Sequence, residues 1–205
     1  MAADDYNATT GAPEFSGSGT PETAADLTEV AAFAASVGTR LIGTTAERTA
    51  YDHAREGLEW WDTDLDTLYV HNGSGWETVF KDWAAYTPTT VNFTGTVVAE
   101  YQVVGKTVNV RIRATLSAAL GGQPTFSLPV TASNANPEPL GMGWLNDANG
   151  TEYPAFIRKN SATTAAPYTI NAASTNALLA NTTASIPFTW ASGDIIHMNF
   201  SYRAA

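Results

Sequence analysis

The sequence predicts a mainly β protein, in which a C-terminal antiparallel β-sandwich of jelly-roll type follows a short N-terminal helix and a small β-hairpin connector. Three observations support this fold class. Residues 57–76 alternate between apolar and polar side chains around two turn-forming clusters. From residue 83 onward, about eight short alternating runs are separated by turn signals, which is typical of a sandwich. Residues 21–37 have a helical spacing instead.

These patterns divide the 205 residues into four segments. We expect an extended N-terminal attachment arm at 1–20, a short helical region at 21–56, a β-hairpin connector at 57–82 and a β-sandwich knob at 83–205. The hydrophobic fraction of 44% is enough for one main core and an appendage. Cys is absent, so stability must come from packing and association.

The net charge of −10 is unevenly distributed. Residues 1–82 contain 15 acidic and 4 basic side chains (−11), whereas residues 83–205 contain 5 and 6 (+1). Neither part has a run of basic residues, so nucleic acid is not an expected partner.

The first five residues are not followed by an apolar stretch, and no apolar segment of the sequence is long enough to span a bilayer. We therefore expect neither a signal peptide nor membrane insertion.

The N-terminal arm is rich in Gly, Ser, Thr and Pro, with Tyr6 and Phe15 as isolated aromatic residues. Such a segment is flexible by itself. If it is ordered on a partner, these two rings are the candidate anchors. A disordered tail is the alternative.

The first helix is predicted to begin at Thr20-Pro21-Glu22, because a capping hydroxyl, a proline and an acid occupy the favoured positions. Gly38 marks its end. The apolar residues follow a 3-4-3-4 spacing, the seam of a coiled coil. Two heptads are too short to form a coiled coil without partners, so the pattern suits a helix bundled with two symmetry mates. The alternative is that these residues form one face of an ordinary amphipathic helix packed on its own domain. The seam residues are Leu27, Val30, Ala34, Val37 and Leu41.

The connector is predicted to follow a second short helix, from about residue 45 to 55, whose capping box pairs Thr44 with Glu47. The strands of the connector have apolar residues at every second position, and residues 64–67 and 72–75 form the turns between them. A unit this small cannot bury its own aromatic face and needs a neighbour or further copies of itself.

The connector resembles the connector hairpin of bacteriophage minor tail, tail-fibre and head-fibre proteins. The resemblance rests on Gly43-Thr44-Thr45-Ala46-Glu47-Arg48, on the hairpin itself and on Trp76-Glu77-Thr78-Val79. The β-rich half is similar to the C-terminal knob of phage fibres, through Tyr86-Thr87-Pro88-Thr89, Tyr101, Gly105-Lys106-Thr107-Val108-Asn109-Val110-Arg111, Phe126-Ser127-Leu128-Pro129-Val130 and Gly141-Met142-Gly143. Together, the resemblances of the connector and of the β-rich half cover roughly residues 43–205.

In the knob, two long alternating runs at residues 93–103 and 106–116 predict a hairpin with one buried and one wet face. Val108, Val110, Ile112 and Ala114 define its buried face. Further strands are predicted at residues 125–131, 140–145, 152–158, 168–172, 185–190 and 194–202. The run from Asn171 to Ser185 is predicted to be a long exposed loop.

No cofactor, metal or enzymatic activity is expected. The run Asp62-Thr63-Asp64-Leu65-Asp66 begins like an EF-hand, but Thr67 occupies the place of the Gly and Gly73 that of the bidentate Glu. These Asp residues are interpreted as turn residues, with a looser calcium site as the alternative. None of His53, His71 and His197 lies in a nucleophile or zinc motif. The few carboxylates of the knob lie largely in turns, so glycan cleavage is the weaker alternative.

A passive glycan-binding site fits the composition better, because aromatic platforms beside amides and carboxylates hold sugars. The candidate residues cluster around one turn: Trp144, Asn146, Asp147, Asn149 and Tyr153. Trp190 with Asp194 forms a weaker second cluster. The alternative is that both Trp side chains belong to the core or to a trimer interface.

The resemblance implies a non-enzymatic virion surface protein, made in the bacterial host cytoplasm and assembled as a homotrimer. Its N-terminal part, with Tyr6 and Phe15, would attach to a capsid or tail protein, and its knob would face outward to bind a host cell-wall glycan. The alternative is a head fibre or capsid decoration protein bound to capsomers.

Overall fold

The computed structural model describes residues 5–6, 13–14, 27–28, 30–31, 34, 40–171 and 178–205. The chain forms two compact units, Met1–Glu77 and Thr78–Ala205. The division therefore falls close to the predicted boundary between connector and knob. In the described part of the chain, no helix has the length and apolar character needed to cross a membrane.

The first unit begins with two short strands, β1 (Asp5–Tyr6) and β2 (Pro13–Glu14), which pair antiparallel with Tyr6 opposite Pro13. Strands β3 (Arg40–Gly43), β4 (Glu59–Asp62) and β5 (Thr67–His71) follow. Strand β3 pairs parallel with β4, and β4 pairs antiparallel with β5. Strands β4 and β5 are the first two of the three strands that the two predicted connector turns imply, and β3 is an addition that the sequence pattern did not predict.

The predicted coiled-coil seam is wrong for Leu41, which lies in β3 opposite Trp60. Its heptad spacing is accidental, because the backbone at Leu41 is extended and pairs with β4. Leu27, Val30 and Ala34 are helical and exposed, whereas Val37 lies outside the described residues. The seam of these four residues stays a prediction.

The second helix, α1 (Thr45–Ala50), begins where its capping box predicts. Thr44 Oγ1 accepts a hydrogen bond from the Glu47 amide at 3.2 Å, and Glu47 Oε2 accepts one from the Thr44 amide at 2.7 Å. The second bond lowers the pKa of Glu47. The expected extension to residue 55 is wrong, because Tyr51 has an extended backbone and its ring packs on Trp60, with ring centroids 5.6 Å apart.

The second unit is an antiparallel sheet in the order β6-β8-β9-β15-β11-β12-β13-β10-β7, with β14 paired to β13. Strand β6 includes the boundary between the units. The strands are β6 (Trp76–Ala85), β7 (Thr90–Val91), β8 (Gly95–Val104), β9 (Thr107–Leu116), β10 (Thr125–Ser127), β11 (Glu138–Asp147), β12 (Thr151–Ser161), β13 (Thr164–Asn171), β14 (Leu178–Asn181) and β15 (Ile195–Arg203).

One core lies within this curled sheet. The alternate β9 residues from Val108 to Ala114 are buried in it, as predicted, and β10, β11, β12 and β15 contribute Phe126, Leu145, Ile157 and Ile196. Because strands distant along the sheet bury their side chains in the same core, the sheet packs on itself as a sandwich does. The predicted mainly β fold class is confirmed.

Two predictions in the knob, one of a strand and one of a loop, are wrong. Residues 185–190 form no strand, because Pro187 has no amide hydrogen to donate, and Thr183 and Ile186 make only an isolated bridge. Within the predicted exposed loop, residues 178–181 instead form β14, which pairs with β13. The middle of that loop, residues 172–177, lies outside the described residues.

Candidate functional site

The predicted glycan cluster does not assemble on one surface. Trp144 of β11 is opposite Pro154 of β12, and the neighbouring pair is Leu145 with Tyr153. Successive side chains of a strand point to opposite faces, so Trp144 and Tyr153 lie on different sides of the sheet. Tyr153 packs against the core and stacks on Phe188, with ring centroids 5.2 Å apart. Tyr153 is therefore excluded from a surface site with Trp144.

The polar members of that cluster stabilise the turn between β11 and β12. Asp147 Oδ1 accepts hydrogen bonds from the backbone and side-chain nitrogens of Asn149, each at 2.9 Å. Asn146 Nδ2 donates to Glu152 Oε1 at 3.2 Å. The polar groups of these side chains already have hydrogen-bond partners in and beside the turn. Asp and Asn side chains commonly stabilise turns in this way.

The second predicted cluster is structural. Trp190 and Asp194 are both buried. The Trp190 indole nitrogen donates to the Ile186 carbonyl, and the Asp194 carboxylate accepts from the amides of Ala191 and Ala148 at 2.7 and 2.9 Å. Neither side chain is available to a ligand, so the interpretation of Trp190 as a core residue is correct.

A groove with a volume of about 550 Å³ lies on the outward face of the sheet. It crosses four adjacent strands, β8, β9, β15 and β11, and the register places its side chains in two parallel rows. The first row is Val98, Arg113, His197 and Trp144, and the second is Glu100, Arg111, Asn199 and Met142.

Apolar side chains open to solvent lie at both ends of the rows, Trp144 and Met142 on β11 and Val98 on β8. Trp144 is 52% exposed, Met142 56% and Val98 64%. Isolated exposed apolar residues are ordinary, but three of them in one concave site indicate a binding surface. Paired strands hold the backbone of these residues at fixed positions, so no backbone segment has to become ordered when a ligand binds.

Glycines bring strand β11 close to β15 beneath this surface. A Cβ atom on Gly143 would lie 2.1 Å from the His197 carbonyl oxygen, and one on Gly141 would lie 2.5 Å from the Asn199 carbonyl oxygen. Both glycines flank Met142, so the close approach of the two backbones determines the position of the apolar side chains at the β11 end of the groove.

Arg111 is held in place by two neighbours. Its Nη1 lies 3.3 Å from Glu100 Oε1, and its guanidinium lies over the Trp83 ring, 4.2 Å from the ring centroid. Arg113 differs from it, because among the described residues it has no hydrogen-bond or ion-pair partner. The groove thus contains one neutralised and one unneutralised guanidinium.

His197 lies between Arg113 and Trp144 in the first row. Its partial burial lowers its pKa, the positive charge of Arg113 lowers it further, and Glu152 opposes both effects. The imidazole is therefore neutral at pH 7 and offers one hydrogen-bond donor and one acceptor to the groove.

The structure supports the interpretation of the aspartate run as turn residues. Asp62 is fully buried in the first unit and its carboxylate accepts hydrogen bonds from Thr45, Arg48 and the amides of Asp64 and Leu65. Within the described residues, no group of three or more His, Cys, Asp or Glu side chains is arranged to hold a metal ion.

A buried charged group away from the groove is also structural. Lys159 is 1% exposed, and its ammonium donates to Glu138 Oε1 at 2.5 Å and to Asn134 Oδ1 at 2.9 Å. Both partners satisfy the buried charge, as a buried cation requires. Glu138, the first residue of β11, is therefore an ion-pair partner and not one of the knob carboxylates that lie in turns.

Sequence reasoning missed most of the groove. It identified Trp144, and the alternation of β9 gave Arg111 and Arg113 an outward orientation. It could not place β15 between β9 and β11, since that pairing joins segments distant along the chain. The residues supplied by neighbouring strands were therefore not recognised as a set: Val98, Glu100, Met142, His197 and Asn199.

Of the two predicted attachment residues, Tyr6 lies in β1 and Phe15 lies outside the described residues.

Comparison of the chain with family models, with curated proteins and with solved structures finds no match in any of the three.

Proposed function

We propose that this chain is a structural surface protein of a bacteriophage virion, of the tail-fibre or minor-tail type, and that its second unit binds a host cell-wall glycan in the groove. The observation that supports it best is the half-exposed Trp144 beside Met142, in a groove that also presents His197 and Asn199. The resemblance of the connector and the knob to phage fibre proteins supports the virion setting.

The chemistry of the groove suits a carbohydrate. A sugar ring has an apolar face of C–H groups that packs against an indole, and hydroxyl groups at its edge that need hydrogen-bond partners. Trp144 supplies the packing surface, while the imidazole of His197 and the amide of Asn199 supply donors and acceptors. Binding without bond cleavage requires nothing else, so the proposed role is not enzymatic.

In this proposal the first unit attaches to the virion and the protein is a homotrimer, made in the host cytoplasm. The exposed helical residues Leu27, Val30 and Ala34 are the candidate contacts between copies, and β1 with Tyr6 is part of the candidate attachment arm.

A head fibre or capsid decoration protein is the second candidate. Leu27 and Val30 are large apolar side chains, both exposed and at helical positions of the first unit, and a capsomer would cover such a surface equally well. In that case the groove would provide only weak adhesion.

Replacing Trp144 with alanine is expected to lower the affinity for host cell-wall polysaccharide about tenfold or more, which corresponds to about 1.4 kcal/mol or more. Titration calorimetry with polysaccharide preparations from several bacterial cell walls measures this. Trp144→Phe should retain much of the affinity, because a ring remains. Leu178→Ala removes an apolar side chain of similar exposure outside the groove and should have no effect. Equal affinity of wild type and Trp144→Ala would contradict the proposed site.

The attachment surface is tested with the double variant Leu27→Asp, Val30→Asp. If this helix face joins the copies, the charged variant should lose oligomerisation because it would bury carboxylates without partners. Light scattering measures the mass of the assembly, and co-sedimentation with capsids and with tails measures attachment. Retention of trimer mass and of binding to both virion parts would show that this surface is not used.

A further inference from the structure

We infer that the groove is selective for glycans with an anionic substituent, a carboxylate or a phosphate, and that Arg113 binds this group while Trp144 packs against a sugar ring. The inference rests on the proposed glycan-binding function and specifies its ligand class.

The first argument is the state of the two guanidinium groups. Glu100 neutralises Arg111, and the Trp83 ring covers one of its faces. Arg113 is exposed, and the described part of the chain provides it with neither an ion pair nor a hydrogen bond. An arginine presents several N–H donors in a planar fork that matches the oxygens of a carboxylate or phosphate. Arg113 is thus available to an anion in a way that Arg111 is not.

The second argument is the local charge. The whole chain has a net charge of −10, with only 10 Lys and Arg residues. The two rows of the groove contain two Arg and one Glu, while Glu152, whose charge raises the pKa of His197, lies outside the lining. The positive charge of Arg113 also contributes to the lowered pKa of His197, so its field extends across the strand toward Trp144. A positive site on an acidic protein favours an anionic ligand over a neutral one.

The third argument is the distance between the two binding groups. Arg113 and Trp144 lie in the same cross-strand row, with His197 of β15 between them. Strands two positions apart are separated by roughly 10 Å. A chain of sugar units spans this distance more readily than a single ring, so the expected ligand is an oligosaccharide with its anionic group near Arg113.

Nucleic acid is the other anionic polymer to consider. Its binding depends on several phosphate contacts made by clustered Lys and Arg residues. The groove provides two guanidinium groups, of which one is neutralised, and the protein as a whole repels polyanions. These observations favour a glycan with isolated charges.

The test compares matched probes by calorimetry on the full-length protein. A neutral oligosaccharide with a single uronic acid unit supplies a carboxylate, its carboxyl-reduced form has the same sugar chain without charge, and the same chain with a single phosphate monoester supplies a phosphate. We expect at least one anionic probe to bind about tenfold or more tightly than the carboxyl-reduced probe, with an affinity that falls as salt is added. The preferred anionic probe identifies the substituent.

The variant Arg113→Gln should remove this preference and leave the affinity for the reduced probe unchanged, and Arg113→Lys should restore part of it. Lys106→Gln makes the same change of charge in the turn between β8 and β9, outside the groove, and should behave as wild type. Binding that depends on Trp144 but is indifferent to Arg113 and to the charge of the probe would overturn this inference alone.

Other outcomes are equally decisive. If neither anionic probe binds while neutral cell-wall glycans do, anion selectivity is wrong and the proposed function stands. If no glycan of any kind binds, both proposals fail. If single-stranded DNA binds more tightly than the anionic glycans and Arg113→Gln abolishes that binding, the partner is a nucleic acid and the inference is overturned.

Discussion

Alanine at position 143 is expected to destabilise the second unit by about 3 kcal/mol and to abolish ligand binding in the groove. The added Cβ atom would lie 2.1 Å from the carbonyl oxygen of His197 and 3.1 Å from Cδ1 of Ile157. A backbone oxygen cannot rotate away as a side chain can. Strands β11 and β15 must therefore move apart, which lengthens their hydrogen bonds and displaces both Met142 and Trp144.

Chemical denaturation measures the loss of stability, and calorimetry with the best glycan probe measures the loss of binding. Gly121→Ala is the matched control, because its Cβ atom would lie 3.7 Å from the nearest atom of Asn92, an ordinary contact. Its free energy of unfolding should stay within about 0.5 kcal/mol of the wild-type value. Wild-type stability for Gly143→Ala would mean that β11 and β15 are less closely packed than these distances indicate.

Replacing Asp62 with asparagine is expected to destabilise the first unit by about 3 kcal/mol. Asp62 is fully buried, and Arg48 Nε lies 3.1 Å from its Oδ2. Its oxygens also accept hydrogen bonds from Thr45 Oγ1 and the Asp64 amide. Asparagine has one acceptor oxygen fewer and no charge. Arg48 therefore loses its ion-pair partner, and one hydrogen-bond donor faces an NH₂ group.

Hydrogen exchange of the backbone amides in residues 57–72 measures this effect locally. Asp66→Asn is the matched control, since Asp66 is an exposed residue of the same turn and asparagine tolerates its positive φ of 46°. Protection should fall in Asp62→Asn and persist in Asp66→Asn. Equal protection in both variants would show that the buried carboxylate does not stabilise the hairpin.

The same carboxylate predicts a dependence on pH. Burial raises the pKa of Asp62, but the hydrogen bonds from Thr45, Arg48 and the Asp64 amide outweigh this effect and lower it below 3.8. A group with a lowered pKa in the folded state stabilises the protein fully above its unfolded pKa. The difference in protection between wild type and Asp62→Asn should therefore be greatest near neutral pH and shrink as the pH falls below 3.8.

Local features of the fold were predictable because their causes are local. The capping box at Thr44 and Glu47 involves residues three positions apart, and the alternation from Val108 to Ala114 defines a buried face without knowledge of the partner strands. Errors arose where a local pattern competed with distant pairing. Leu41 continued a heptad spacing but pairs with β4, and residues 185–190 have β-like composition but no partner strand.

The sequence by itself determined that the protein is mainly β, which hairpin faces are buried, where α1 begins and that Trp144 is a candidate ligand contact. The tertiary structure alone decided that Tyr153 faces away from Trp144 and that β15 lies between β9 and β11. The physical reason is that alternation with period two assigns a side chain to a face of its own strand, whereas the identity and register of neighbouring strands depend on packing between distant segments. The groove is formed by that register.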